Sequence, residues 1–375
     1  MKRAIAGAII IGLIFVLGGC GVEGASANSG SFLAVEWNVQ ALFDGHETGN
    51  EYGEYLEKAG WTREKYAARV TAISQAVLGM AADGVPGLIG FIEIENAAVL
   101  GDLAGAALSK KGYVSAAFAA LPGASLGVGF LSRFPFTELK AHSITIGKVS
   151  APRPVLEARI EPGGKPLVFL LCHWKSKLGG EEATEHLRRA SARVVQRRLR
   201  ELNEAEPGLP VIVMGDLNEC HDEFYRLGIL SALLPDDSGA ADLAARSIRK
   251  AAGSEGGSGV KELVELPDAL VLSGEKPPLP RYFSGPALYS PWYGEGGSDG
   301  FSEGSYHYKG AWETIDHFLL SDSLFDGQGW EYESCRALNE APFASSNKIP
   351  DAYIPRSGRG LSDHLPLALR LRIAD

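Results

Sequence analysis

Short apolar runs of strand length recur along this chain, and six of them end on, or adjoin, a polar cluster. Residues 32–39 carry Trp37-Asn38-Val39-Gln40, and residues 88–94 lead into Glu93-Ile94-Glu95-Asn96. Run 167–171 meets Cys172-His173-Trp174-Lys175, and run 211–214 delivers Gly215-Asp216-Leu217-Asn218. Ile315-Asp316-His317 closes run 312–315, while Ser362-Asp363-His364-Leu365-Pro366 precedes the alternation Leu367, Leu369, Leu371. Length, alternation and flanking turn residues predict strands for these runs. A strand end is a rigid mount from which a polar side chain leaves the core and faces a cleft, so six such ends predict one assembled site.

Helical periodicity appears between the strands. From Thr62, the residues Tyr66, Val70, Ile73 and Val77 share a face, and Gly84 and Pro86 stop the helix. Further helices are predicted over 97–108 and 181–203. Residues 113–169 instead read as successive strands separated by Pro122-Gly123, Phe134-Pro135, Gly147 and Pro162-Gly163-Gly164. Hairpin-linked strands with helices outside them predict two packed sheets covered by helical layers. Two glycine- and serine-rich segments, 253–259 and 294–305, read as loops. The second follows Tyr289, Pro291, Trp292 and Tyr293, which are read either as packing under the loop or as an exposed flap that touches substrate or membrane.

The chain has 375 residues, 45% hydrophobic and 22% charged, enough for a sizeable core. Its formal charge of -10 gives the whole molecule no electrostatic attraction to polyanions, so any nucleic-acid contact must be local or assisted by cations. Met1-Lys2-Arg3, an apolar run over 4–17 and Gly18-Gly19-Cys20 match a secretory leader. Leu17-Gly18-Gly19-Cys20 resembles the bacterial lipobox, which implies a signal peptide over 1–19, lipid on Cys20 and a tether over 20–30. An uncleaved membrane anchor is the competing reading. Either one places the folded region, 31–375, outside the cytoplasm. Cys172, Cys220 and Cys335 remain, too few for a disulfide framework; a Cys172–Cys220 bond stays open, and no zinc spacing occurs.

Hard divalent cations take oxygen ligands, and Glu93 is the best single candidate. Strand alternation puts Glu93 and Glu95 on one face and leaves the choice between them open. Asp216 and Asn218, two apart after a buried strand, suit a water-holding carboxylate and an amide that donates to a phosphoryl oxygen; an Asx turn is the structural alternative. His173 and His364 suit proton transfer or donation to phosphate, with Asp316 placed to orient His364. No Gly-Lys-Ser/Thr phosphate loop is present, and the nucleophile expected is water, activated by a base and assisted by metal.

Taken together and in order, these motifs resemble the endonuclease/exonuclease/phosphatase superfamily over about residues 32–372. The resemblance implies a four-layer α/β/β/α sandwich of the DNase I-like kind, with two central, mostly antiparallel or mixed sheets flanked by helices. It also implies metal-dependent phosphoester hydrolysis. It assigns Asn38, Glu93 and Asp363 to the metal, which settles the Glu93 or Glu95 choice, and Mg²⁺ or Mn²⁺ is the cofactor implied. His173 resembles the histidine that bonds the scissile phosphate, Asp216 and Asn218 the pair that orients water and phosphate, and Asp316-His364 the oriented base. The usual Gln before the metal-binding Glu is Ile92 here.

Arg133, Arg153, Lys175 and Tyr308 are expected to meet the substrate. Arg189, Arg193 and Arg197 share one helix face and read as a solvated surface. The leading expectation is a lipid-anchored monomeric nuclease of the cell envelope. A phospholipid or sphingomyelin phosphodiesterase and a catalytically silent surface-binding lipoprotein are its rivals.

Overall fold

The structure is a computed structural model that describes residues 10–15, 30–80, 84–147, 149–151, 153–251, 263–277, 279–293 and 303–374. Two mixed sheets stand face to face. The first runs in the order Ile10–Phe15, Ser115–Ala120, Gly127–Ser132, Leu88–Ile94, Ser31–Leu42, Leu367–Ile373, Trp330–Ala337. The second runs Leu233–Pro235, Leu270–Ser273, Ala287–Tyr289, Asp316–Leu320, Val211–Asp216, Leu167–His173, Val155–Ile160, Glu138–His142. Helices Arg63–Gly79 and Ala97–Gly105 cover the first sheet, and the long Glu181–Ala205 helix packs on the second. This is the four-layer α/β/β/α sandwich that the strand and helix pattern predicted.

The inner faces bury Ile92, Leu171, Ile212 and Met214 among many others. Gly90 marks how closely the sheets approach: a Cβ there would stand 2.8 Å from Met214 Cε and 2.9 Å from Leu171 Cδ1. Any larger residue would push the layers apart.

Register fixes where the polar ends emerge. The parallel pair Leu167–His173 and Val211–Asp216 sets His173 opposite Asp216, and the antiparallel neighbour sets Asp216 opposite Asp316. In the other sheet, Ser31–Leu42 runs parallel to Leu88–Ile94 with Trp37 opposite Phe91 and Asn38 opposite Ile92. The polar ends of both sheets therefore share one edge of the sandwich, because parallel neighbours end at the same side.

Cys20 and the glycine- and serine-rich segment 253–259 lie outside the described residues, as do residues 1–9 and 16–29 of the leader and tether and 294–302 of the second loop. Ile10–Phe15 is described, pairing antiparallel with Ser115–Ala120 at the sheet margin. Among the described residues no helix is long and apolar enough to cross a membrane. Cys172 and Cys220 are buried free thiols, which closes the question of a bond between them, and Cys335 is buried as well.

Candidate active site

The first sheet delivers its residues through irregular backbone. After Asn38 the strand bulges: Gln40 and Ala41 take left-handed φ values of 54° and 55°, and the register with the neighbouring strand shifts. Buried Arg69 clamps this bulge by donating to the carbonyls of Val39 and Gln40 at 2.6 Å and of Ala41 at 3.0 Å. Glu93 is also left-handed, at φ 65°, where the pairing with Gly127–Ser132 shifts between Ile92 and Ile94. A regular strand would point Glu93 and Glu95 the same way; the bulge separates them. Glu93 Oε2 accepts from Ala41 N at 2.8 Å, whereas Glu95 accepts from Asp44 N at 2.6 Å. Asn96 caps the helix that follows by accepting from Ala98 N and Val99 N.

The second sheet contributes the opposite wall. Gly215 at φ 123° lets the chain turn just before Asp216, where a Cβ would lie 2.1 Å from the Cys172 carbonyl oxygen. Asp216 Oδ1 accepts from Asn218 N at 2.9 Å, so the Asx turn exists alongside the site. Asn218 is not extended as alternation implied; it is left-handed at φ 50°, and its amide donates to Trp174 O at 3.3 Å.

Two hydrogen bonds join the walls. Asn38 Nδ2 donates to Asp216 Oδ2 at 3.0 Å, and His364 Nδ1 meets Asp316 Oδ2 at 2.8 Å. Ser305 Oγ donates to the same Asp316 oxygen at 2.6 Å. Trp37 Nε1 donates to the His364 carbonyl, and Ser362 Oγ donates to the Asn38 carbonyl while accepting from His364 N. Tyr306 lies against His364 with ring centroids 4.6 Å apart. Gln40 Oε1 accepts from Asp363 N at 3.0 Å, and His364 Nε2 stands 4.0 Å from Asp363 Oδ1.

His173 Nε2 is 3.7 Å from both Glu93 Oε1 and Asp216 Oδ2, beyond hydrogen-bond reach. Arg153 Nη1 sits 3.2 Å from each of its ring nitrogens. Burial, Arg153 and His364 together hold the His173 imidazole well below its ordinary pKa, so the ring is neutral and the 3.7 Å approaches are not ion pairs. His364 behaves oppositely. Burial works against its charged form, but Asp316, Asp363 and Asp216 outweigh burial and raise its pKa well above the ordinary value. Burial pushes the Asp216 carboxyl up to about 7, reinforced by Asp316 and opposed by His364. Burial also raises Glu93, against the pull of His364 and Arg153.

Of the residues singled out in the sequence, Asn38, Glu93, Arg153, His173, Asp216, Asn218, Asp316, Asp363 and His364 come together. Lys175 lies in the loop beyond His173, its ammonium donating to Ser176 O at 2.9 Å and Leu178 O at 3.2 Å. Tyr308 stacks on Tyr306 and so stands beside His364. Arg133 requires a correction. It follows Ser132, which pairs with Leu88, the start of the strand whose far end carries Glu93, and its N–H bonds Gly87 O; strand polarity places it at the opposite end of the sheet. His317 is structural, with Nε2 on the Glu219 carbonyl and its pKa lowered to about 4 by burial. The residues missed were Arg69, Gln40, Ser305 and Glu36. Arg69 and Glu36 had a signal, each being a charged residue within an apolar stretch.

The sequence profile of the Endonuclease/Exonuclease/phosphatase family matches residues 33–273, more than half of the chain. The chain belongs to the endonuclease/exonuclease/phosphatase family. No curated protein matches it in sequence. Solved structures align with it at low identity. A humanized D. rerio TDP2 aligns at 16% identity and TM-score 0.51, covering 92% of this chain and 100% of that one. TDP2 from C. elegans aligns at 14% and 0.50, covering 91% and 75%. The human Nocturnin catalytic domain aligns at 13% and 0.48, covering 97% of each chain. Membership makes this chain a phosphoester hydrolase of a divalent-metal-dependent family.

The donor set suits such a metal. Glu93 is partly open, and Asp363 and Asn38 lie close enough to shift its pKa, Asp363 upward and Asn38 downward. These are oxygen donors of the kind a hard cation takes, with room left for water or phosphate. Asp216, Asp316 and His364 also cluster, but Asp316 Oδ2 is already shared by His364 and Ser305, which marks an oriented base rather than a ligand cage.

Proposed function

We propose that the protein is a divalent-metal-dependent phosphodiesterase that cleaves nucleic acid, with water as the nucleophile. The observation that carries this reading is the buried His364–Asp316 pair at 2.8 Å, set beside Asp216 and across from Glu93. Glu93, Asn38 and Asp363 would hold Mg²⁺ or Mn²⁺, whose charge would offset the negative charge that builds on the phosphoryl oxygens. Asp216, held by Asn38 and the Asn218 backbone, aligns the attacking water, and His364 accepts its proton in the neutral form of its ring, which becomes more populated as pH rises. Asp316 fixes the His364 tautomer and stabilises the imidazolium that forms. Neutral His173, with Arg153 against it, and the Asn218 amide present N–H donors to the phosphate.

The aromatic segment that favoured a lipid substrate offers little support for that rival. Tyr289 is buried, Trp292 Nε1 donates to Asp316 O at 2.9 Å, and Tyr293 donates to the His221 carbonyl, so these rings are tied down as local packing. A silent binding protein would be expected to lack a member of the set, and all are present. Lys2, Arg3, the apolar run and Cys20 support a lipid anchor in the bacterial cell envelope, and cleavage before Cys20 would remove the Ile10–Phe15 strand from the margin of the first sheet.

The test is hydrolysis of a DNA and RNA panel with and without EDTA, using wild type, His364→Ala and Asp216→Asn. Metal-dependent cleavage that collapses in both variants is expected; retained cleavage in both would remove the assignment. Labelled fatty acid incorporated into wild type but not Cys20→Ala checks the anchor.

A further inference from the structure

The proposed activity leaves open which form of nucleic acid fits, and two exposed tyrosines at the site bear on this. Tyr308, 49% exposed, stacks on Tyr306 with centroids 6.0 Å apart and planes at 13°, and Tyr306 in turn lies on His364. Lys309 Nζ stands 5.0 Å from the Tyr308 ring centroid. Tyr52, 42% exposed, belongs to the loop that leaves the Asn38 bulge, and packs edge-on against Phe43 at 5.2 Å. The same loop sends Tyr55 Oη to the Gln40 carbonyl, and Gln40 holds Asp363. The Tyr52 phenol is within electrostatic reach of Glu93 and Arg153.

Each tyrosine is thus a ring backed by another aromatic, and Lys309 adds a cation beside Tyr308. Tyr308 adjoins the site through Tyr306 and His364, and Tyr52 through the loop that leaves the Asn38 bulge. Exposed aromatics cost apolar surface in water, and nothing in their packing requires them to remain open. An aromatic face with an adjacent cation is what an unpaired nucleotide uses, the base stacking while the cation meets its phosphate. A duplex hides its base faces and is bound chiefly through a broad basic surface, which a chain of net charge -10 does not favour.

We infer that Tyr52 and Tyr308 form a stacking clamp that holds the bases flanking the scissile phosphate, so that the substrate is single-stranded. This rests on the proposed phosphodiesterase reading. The experiment compares a labelled single-stranded 10-mer, the same strand annealed to its complement, and methyl p-nitrophenyl phosphate, a diester without bases. Tyr52→Ala and Tyr308→Ala should each raise KM for the single strand by about 5- to 150-fold, the range for losing one stacked base. In both, the loss on the single strand should exceed any loss on methyl p-nitrophenyl phosphate by at least about fivefold, and the Phe variants should behave as wild type. Unchanged KM in both Ala variants, or equal cleavage of duplex and single strand, would overturn the clamp. Failure to cleave any diester would instead sink the phosphodiesterase reading. Fluorescence anisotropy of the same strand on His364→Ala protein then decides the clamp without turnover, weakened binding in the Tyr52→Ala and Tyr308→Ala backgrounds supporting it and unchanged binding refuting it.

Discussion

Glu36 is wholly buried between the sheets, and neither of its carboxylate oxygens has a hydrogen-bond partner. It precedes Trp37 and sits opposite Leu367 and Gly90 in the first sheet. Burial raises its pKa well above the ordinary carboxylate value, and Asp316 and Asp216 add to this while His364 opposes it. Folding therefore binds a proton. With a raised folded pKa, stability is full below the unfolded value of 4.5 and falls as pH rises from there towards the folded value. The slope for one group titrating within that window is about 1.4 kcal/mol per pH unit. A further cost of about 1–3 kcal/mol attaches to a buried polar group without a partner at any pH.

Glu36→Met keeps the chain length and removes both terms. Urea unfolding of wild type and variant in EDTA at pH 5, 6, 7 and 8 reads the difference, with equal m-values showing that the unfolded states match. The variant should be more stable at pH 7, and its advantage should widen as pH climbs. A stability difference that stays flat across this range, or a variant weaker at every pH, would refute the reasoning.

Other outcomes follow from the same geometry. Glu157 is held by Arg198 at 2.6 and 2.8 Å and by His142 at 2.6 Å; burial opposes its charge, but these partners lower its pKa to about 2. The stability this gives, about 3 kcal/mol, is present above pH 4.5 and lost as pH falls towards 2, so Glu157→Gln should flatten the acid limb of the stability curve measured by circular dichroism. Asp316→Asn should lower kcat by about 10²- to 10⁴-fold with little change in KM, because it disturbs the orientation and charge balance of His364; an equal rise in KM would speak against an orienting role. Glu93→Gln should raise the Mg²⁺ concentration needed for half-maximal rate by on the order of 10- to 100-fold, read by titrating metal into EDTA-stripped enzyme.

The layered fold was legible because apolar runs of strand length and the helical face Tyr66, Val70, Ile73 and Val77 agree with the structure in place and order. The site was legible wherever chemistry sits at the end of a regular run, as at His173, Asp216 and Asp316. It was less so where backbone departs from regularity. Alternation could not separate Glu93 from Glu95, since the left-handed bulge that does so leaves no periodic trace. Arg133 looked like a phosphate contact by charge alone, and only strand polarity shows it to be at the wrong end. The aromatic cluster at 289–293 could be read either as packing or as an exposed flap, because the partners of Trp292 and Tyr293, the carbonyls of Asp316 and His221, are distant in sequence.

The division of the catalytic set between two sheets carries a consequence for folding. Asn38, Glu93, Asp363 and His364 belong to one layer and His173, Asp216, Asn218 and Asp316 to the other, with only the 3.0 Å Asn38–Asp216 and 2.8 Å His364–Asp316 bonds spanning the seam directly between them. A chain that has formed each sheet but not yet docked them holds two inert halves. Hydrolysis should therefore be the last property gained on refolding and the first lost under mild stress, while secondary structure is still intact, which makes turnover itself a gauge of how well the two layers are seated.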